Sequence, residues 1–369
     1  MPLFQRLLFL LLVAITLPHC VDAVVPVYQF ETGFLLIEGR ISDAPGYSEV
    51  SVARNEILFG DYTLSPVPGA VVSAVAENGE EVFWEAIPAT NRFRAPEGWV
   101  AESGRSYFLR VTTPQGELVE SEPEPVPTPV PLENVRVRFE QEAYFSISRD
   151  RFIPAFLLEA DLQDPAGERN YYQLRLTTYE MIAVCASCER SRWRNGECIA
   201  GPDTRFVRRW DYLCDAACWI SSSGQEINVF TDEFSDGRRV TGLEAGRDNY
   251  DSSGELLFDV QLFSTSAAAY NFYLTLKGLA EGSGGLNAPL PAALVGNLAD
   301  VSPLGTNVLG FVGVVSVSQE RIFIDQDTFG GMPLPFDSQI ILEPVNPSPP
   351  TAPCEGGTRT RIRPEGWGE

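Results

Sequence analysis

Histidine is almost missing from this chain of 369 residues: the single example is His19, inside an apolar N-terminal segment. With none further along, Ser-His-Asp and Cys-His nucleophilic systems, His-ligated zinc and imidazole acid-base work are excluded from the body of the protein. Lysine is equally scarce. Lys277 is the only one, so 26 of the 27 basic residues are arginine, and a Schiff-base mechanism has a single candidate amine. Carboxylate pairs, cysteines, tyrosines or no chemistry at all are what remain. The formal charge is −23, so the surface repels nucleic acid over most of its area. An acid excess with arginine in place of lysine suits a salt-rich milieu, where ions screen self-repulsion, and equally suits a GC-rich genome.

The N-terminal apolar run after Arg6, residues 7–17, is too short to span a bilayer and has the proportions of a secretory leader. Two cleavage readings follow. Leu17-Pro18-His19-Cys20 has the form of a lipobox, which makes Cys20 the lipidated residue and is the favoured reading; Val21-Asp22-Ala23 is an ordinary signal-peptidase site. Either way the leader covers 1–23 and Cys20 leaves the cysteine count.

Period-two alternation then dominates. Strand patterns at Phe34–Glu38, Glu49–Arg54, Ala70–Val75, Val82–Trp84, Tyr107–Thr112 and Leu118–Glu120, with turns at Asn78-Gly79 and Pro114-Gln115-Gly116, predict an immunoglobulin-like or transthyretin-like β-sandwich over 24–121. Prolines at 123, 125, 127, 129 and 131 predict an extended linker over 122–131. A larger β-rich domain follows over 132–343. It carries one helix, capped by Ser266, with Ala269, Phe272, Tyr273, Leu276, Leu279 and Ala280 on one face and Gly282 as its stop. An irregular Pro-rich tail, 344–369, closes the chain.

Chemistry concentrates in an insertion at 185–219. Cys185, Cys188, Cys198, Cys214 and Cys218 lie there among arginines and tryptophans, with Cys354 far downstream. An even set of six in an exported chain favours structural disulfides, with Cys354 the expected distant partner for the odd cysteine of the block. The spacings Cys185-x2-Cys188 and Cys214-x3-Cys218 leave a metal knuckle or a redox pair open. Arg205, Arg208 and Arg209 are the candidate contact surface, against the plainer reading of a solvated, acid-paired segment. Calcium ligation at Asp325/Asp327 or Asp248/Asp251 is weighed and turn use preferred. No metal, cofactor or catalytic residue is assigned.

Several pieces in order carry a resemblance: Leu36-Ile37-Glu38-Gly39-Arg40-Ile41-Ser42-Asp43, Pro68-Gly69-Ala70-Val71-Val72, Gly104-Arg105-Ser106-Tyr107, Asn170-Tyr171-Tyr172, Cys218-Trp219, Ala269-Tyr270-Asn271-Phe272-Tyr273, Gly296-Asn297 and Gly310-Phe311. This set resembles the Bacteroidota lipoprotein family known as domain of unknown function 4249. The resemblance departs at the end, where Cys354 is followed by Glu355-Gly356-Gly357 rather than by a second cysteine. It implies an outer-membrane lipoprotein whose leaflet is open and whose partner is a TonB-dependent transporter. The resulting expectation is a lipid-anchored, non-enzymatic accessory protein of the cell envelope. The alternatives are a carboxylate-dependent glycan hydrolase and a surface adhesion or structural module.

Overall fold

Apolar residues at 312, 314, 322 and 324 alternate with Gln319, Arg321 and Phe323, a period of two that sends the sets to opposite faces of one long strand, Val312–Asp325. The computed structural model that shows this describes residues 32–369 except 60, 89, 190–191, 195–196, 200–209, 225, 281–293, 335–353, 355–357 and 369, and is without the side chains at 62, 182–198 and 200–217. The fold is mainly β with one α-helix among the described residues, Ala267–Ala280, as the alternation and the single helical period predict.

A sheet of 12 strands contains this strand. Its order is Arg359–Thr360, Trp210–Ser223, Tyr171–Glu189, Glu255–Thr265, Val312–Asp325, Leu35–Ser42, Glu49–Leu58, Arg92–Arg94 and Glu85–Ala86, with three short strands off that path. Leu35–Ser42 pairs in parallel with Val312–Asp325, Gly39 opposite Val312 and Ser42 opposite Val315, while the pairs on either side are antiparallel. The strand near the start of the chain therefore lies in the same sheet as strands from its far end.

Two smaller sheets cover one face. Val71–Ala76, Ser106–Thr112 and Leu118–Ser121 belong to a six-stranded sheet; its Val72, Leu109, Val111 and Val119 bury against Leu35, Ile37, Val52, Val312 and Val314. Leu132–Ser146, Arg151–Gln163 and Arg239–Asn249 form a three-stranded sheet, whose Phe156, Leu158 and Leu162 bury against Tyr172, Phe258, Val260 and Leu262. Each such fully buried side chain contributes about 1.5–3 kcal/mol relative to exposure. The expected N-terminal sandwich is present, but residues 298–300 and 308–325 complete it, so it is not built from 24–121 alone.

The proline-rich segment, expected as an extended linker, is packed against the large sheet. Glu124, Val126 and Val130 are buried. Proline lacks an N–H but keeps its carbonyl, and serines on Val312–Asp325 exploit that acceptor row: Ser316 Oγ donates to the Pro127 carbonyl and Ser318 Oγ to the Val130 carbonyl at 2.6 Å. Glu124 is the anchor. Its carboxylate accepts from Val314 N at 3.0 Å and from Ser266 Oγ at 2.6 Å, and Ser266 in turn caps the helix by accepting from Ala269 N at 3.1 Å. Burial pushes the Glu124 carboxyl above its ordinary range, partly offset by these donors. Of the helical face, Ala269 and Phe272 are buried, whereas Leu279 is exposed; Gly282 lies outside the described residues.

Close approach explains two residues of the Gly296-Asn297 and Gly310-Phe311 motifs. A Cβ on Gly296 would stand 1.9 Å from the Gly310 carbonyl oxygen, and one on Gly310 would stand 2.0 Å from that of Ile37. Asn297 clamps the junction by exchanging two hydrogen bonds with the Val312 backbone, 2.9 and 3.0 Å long.

The chain's end is docked where an irregular tail is expected. Cys218 is bonded to Cys354, Arg359–Thr360 extends the sheet beside Trp210–Ser223, and Trp367 packs on Trp219 and Phe323. This covers an edge that would otherwise offer unpaired backbone groups. Residues 344–353 lie outside the described part. The cysteine-rich insertion, expected as a stapled segment poor in strand, has its backbone in the antiparallel strands Tyr171–Glu189 and Trp210–Ser223, joined through a two-stranded ribbon of Arg192–Arg194 and Glu197–Ile199.

Two outcomes follow from these contacts. Glu124→Ala leaves the Val314 amide and the Ser266 hydroxyl without their acceptor and costs about 1–3 kcal/mol in urea unfolding; an unchanged midpoint contradicts the anchor role. The Cys218→Ser/Cys354→Ser pair opens a long loop and costs on the order of 3–5 kcal/mol, with tryptophan emission shifting red as Trp219 and Trp367 separate.

Candidate functional site

The face of the large sheet opposite the two cores carries polar groups, because the same alternation that buries Leu256, Phe258, Val260 and Leu262 turns Asp259 and Gln261, along with Phe263, the other way. Neighbouring strands add to it in register. Arg175 stands directly opposite Gln261, and Gln173 opposite Phe263; Glu38 and Arg40 come from Leu35–Ser42. Tyr273 and Leu276 of the helix close one side, and Phe272, packed on Phe311 at 5.1 Å between ring centres, fixes the helix there. Glu38, Arg40, Tyr47, Gln173, Arg175, Gln261, Tyr273 and Leu276 line an open cavity of about 480 Å³.

Charge in the cavity is unevenly paired. Arg92 holds Glu49, and Arg247 holds Glu226 at 2.6 Å. Among the described residues, Arg40 and Arg175 have no carboxylate within ion-pair distance. Arg40 lies half-buried with its guanidinium 4.5 Å over the Phe263 ring, a cation–π contact that supports the charge without neutralising it. Burial, and then the positive charge of Arg175, push the Arg40 guanidinium down to about 10. Burial raises the Tyr273 phenol above its ordinary range, and local desolvation in the cavity raises the Glu38 carboxyl although the residue is exposed.

Further along the same face the polar groups are consumed by the fold. Asp259, fully buried, accepts from Arg321 Nε at 3.2 Å, while its second oxygen has no hydrogen-bond partner. Burial raises this carboxyl and Arg321 offsets part of the rise. Arg321 also reaches Glu365 at 3.0 Å, which ties the docked tail to the sheet.

The residues singled out by sequence reasoning fall elsewhere. Cys20, Arg205, Arg208 and Arg209 lie outside the described residues. Cys218 and Cys354 form a disulfide; the backbone of Cys185, Cys188, Cys198 and Cys214 lies in strands, with their side chains outside the described part. At the weighed calcium positions, Asp325 accepts from Asp327 N at 3.1 Å in a capped turn and Asp327 accepts from Tyr250 at 3.1 Å. Burial, then Glu180 and Asp251, push the Asp248 carboxyl up to about 7. A third acidic group, Asp164, Asp232 and Asp236, gathers its oxygens within 4.8 Å. Its acceptors serve the local turns: Asp164 takes Tyr172 Oη at 2.5 Å and Gly237 N at 3.0 Å, and Asp236 takes Gly167 N at 2.8 Å. No metal is assigned to it.

The groove residues were hidden because period two reads Glu38, Arg40, Gln173 and Arg175 as ordinary outward polar positions. Their one sequence signal is that Arg40 belongs to the Glu38-Gly39-Arg40 motif.

Removing one of two unneutralised neighbouring cations relieves repulsion. Arg175→Gln is therefore expected to raise stability by up to about 1 kcal/mol at low salt, less in molar salt, as read by thermal melting. A loss above about 1 kcal/mol would mean that Arg175 has a structural partner. Among curated proteins none matches the chain. The family described as Domain of unknown function (DUF4249) matches residues 21–321, and the chain belongs to that family.

Proposed function

We infer that this chain is a lipid-anchored, non-enzymatic accessory protein of the cell envelope that holds a polar ligand in service of a TonB-dependent outer-membrane transporter. The observation that carries the binding role is the open cavity of about 480 Å³ on one face of the large sheet, of a size that takes a small molecule. Its lining favours binding over catalysis. Glu49 and Glu226 are tied to Arg92 and Arg247, which leaves Glu38 as the lining carboxylate outside an ion pair among the described residues, whereas carboxylate-driven glycan hydrolysis needs two working acids.

The envelope placement rests on the leader at 1–23 and on Cys20 as the lipidated residue; the transporter rests on the resemblance that predicts such a neighbour. Crosslinking in intact membranes followed by affinity recovery of the chain is expected to bring down a TonB-dependent transporter, and acyl mass is expected on the peptide that begins at Cys20. Repeated recovery without any such transporter, or an unacylated N-terminus at Val24, contradicts this reading.

A further inference from the structure

We propose that the cavity takes a small anionic sugar, its acidic group held between Arg40 and Arg175 and its hydroxyls by the neutral polar side chains around them. The proposal rests on the binding role inferred above and names the ligand's chemistry.

Three observations carry it. First, of the three guanidinium groups that line the cavity in a chain of net charge −23, Arg40 and Arg175 have no ion-pair partner among the described residues. In a protein with 50 acidic residues, counter-charges are abundant, and of the three carboxylates in the lining two are engaged elsewhere, Glu49 with Arg92 and Glu226 with Arg247. Guanidinium groups present planar forks of donors that match carboxylate and phosphate oxygens two at a time. Second, Arg40 is held in place from below by the Phe263 ring, so its donors are fixed before any ligand arrives, which lowers the ordering cost of binding. Third, Gln173, Gln261, Thr177, Ser51 and Ser223 line the same cavity. Amides and hydroxyls offer donors and acceptors side by side, which is what a polyhydroxylated molecule requires. Such a lining does little for an apolar ligand.

Glu38 adds selectivity. As the carboxylate of the lining without an ion pair among the described residues, it accepts from ligand hydroxyls and repels a second acidic group, so one acidic group per bound sugar unit is favoured.

The acidic group can be a carboxylate or a phosphate, and calorimetry on the full-length protein separates them. The probes are digalacturonate, glucose 6-phosphate and maltose, titrated at low and at molar salt. Binding of digalacturonate or glucose 6-phosphate, weakened at least tenfold by Arg175→Gln and by Arg40→Gln, and weakened by salt in the unsubstituted protein, is the expected result. Whichever of the two binds tells the acidic group. Maltose is expected to bind at least tenfold more weakly than that probe. Equal binding of maltose, unaffected by either substitution, overturns the anionic specificity while leaving the cavity a ligand site. Absence of heat with all three probes overturns the sugar assignment, and the crosslinking experiment then decides the accessory role by itself. The salt series on the unsubstituted protein keeps the test decisive should a variant lose its fold.

Discussion

The parallel pairing of Leu35–Ser42 with Val312–Asp325 is the constraint from which the remaining architecture follows. Parallel neighbours need a long crossover between them, and here the crossover is nearly the entire chain. One face of Val312–Asp325 supplies Val312 and Val314 to the first core and Ile324 to the second. Between those two positions Ser316 and Ser318 hold the proline-rich segment. A chain whose composition suggests two beads on a string is thereby closed into a single contact unit over Gly33–Glu369. Contacts of such sequence separation carry a loop-closure cost before they repay it, which is why the junction is reinforced: by the Asn297 clamp, by the glycines that permit close approach, and by the buried Glu124 carboxylate.

The same pairing makes the cavity. Arg40 arrives from the strand near the N-terminal end of the described chain, while Arg175 and Gln261 arrive from strands more than a hundred residues later; closing the sheet is what sets them on one face. At the other end of that face Trp367 and the Arg321–Asp259 pair occupy the surface, so the polar groups left open are those around the two arginines. Two neighbouring cations with no ion-pair partner among the described residues lower the stability of the folded chain. A fold that keeps such a pair while engaging Glu49 and Glu226 with other arginines retains it against that cost, which the proposed binding role would explain.

Local order was legible from residues; partnership was not. The Asn78-Gly79 hairpin, the Leu256–Phe263 alternation and the Ser266 cap follow from rules that act over a few positions, and the structure has them. The prolines at 123–131 were read by what they lack, a ladder N–H, and not by the carbonyl row they keep, because nothing local reveals two serines almost two hundred residues away. In the same way Gly39 reads as a strand break, yet the strand runs through it to Ser42, since its neighbour's backbone needs the missing Cβ: one placed there would lie 2.4 Å from the Glu49 carbonyl oxygen. The cysteine cluster drew attention as the densest chemistry in the chain, and Cys354 is joined to Cys218 as the odd count suggested. The cavity went unread because its residues are ordinary singly and unusual only together.

Native-state hydrogen exchange tests the closure of the chain into one unit most directly. If the pairing holds the fold together, amides of Leu35–Ser42 and of Val312–Asp325 exchange with the same, global opening free energy and respond alike to denaturant. If residues 35–121 instead open at a distinctly lower free energy while 132–325 stay protected, the two halves are independent and the account is contradicted.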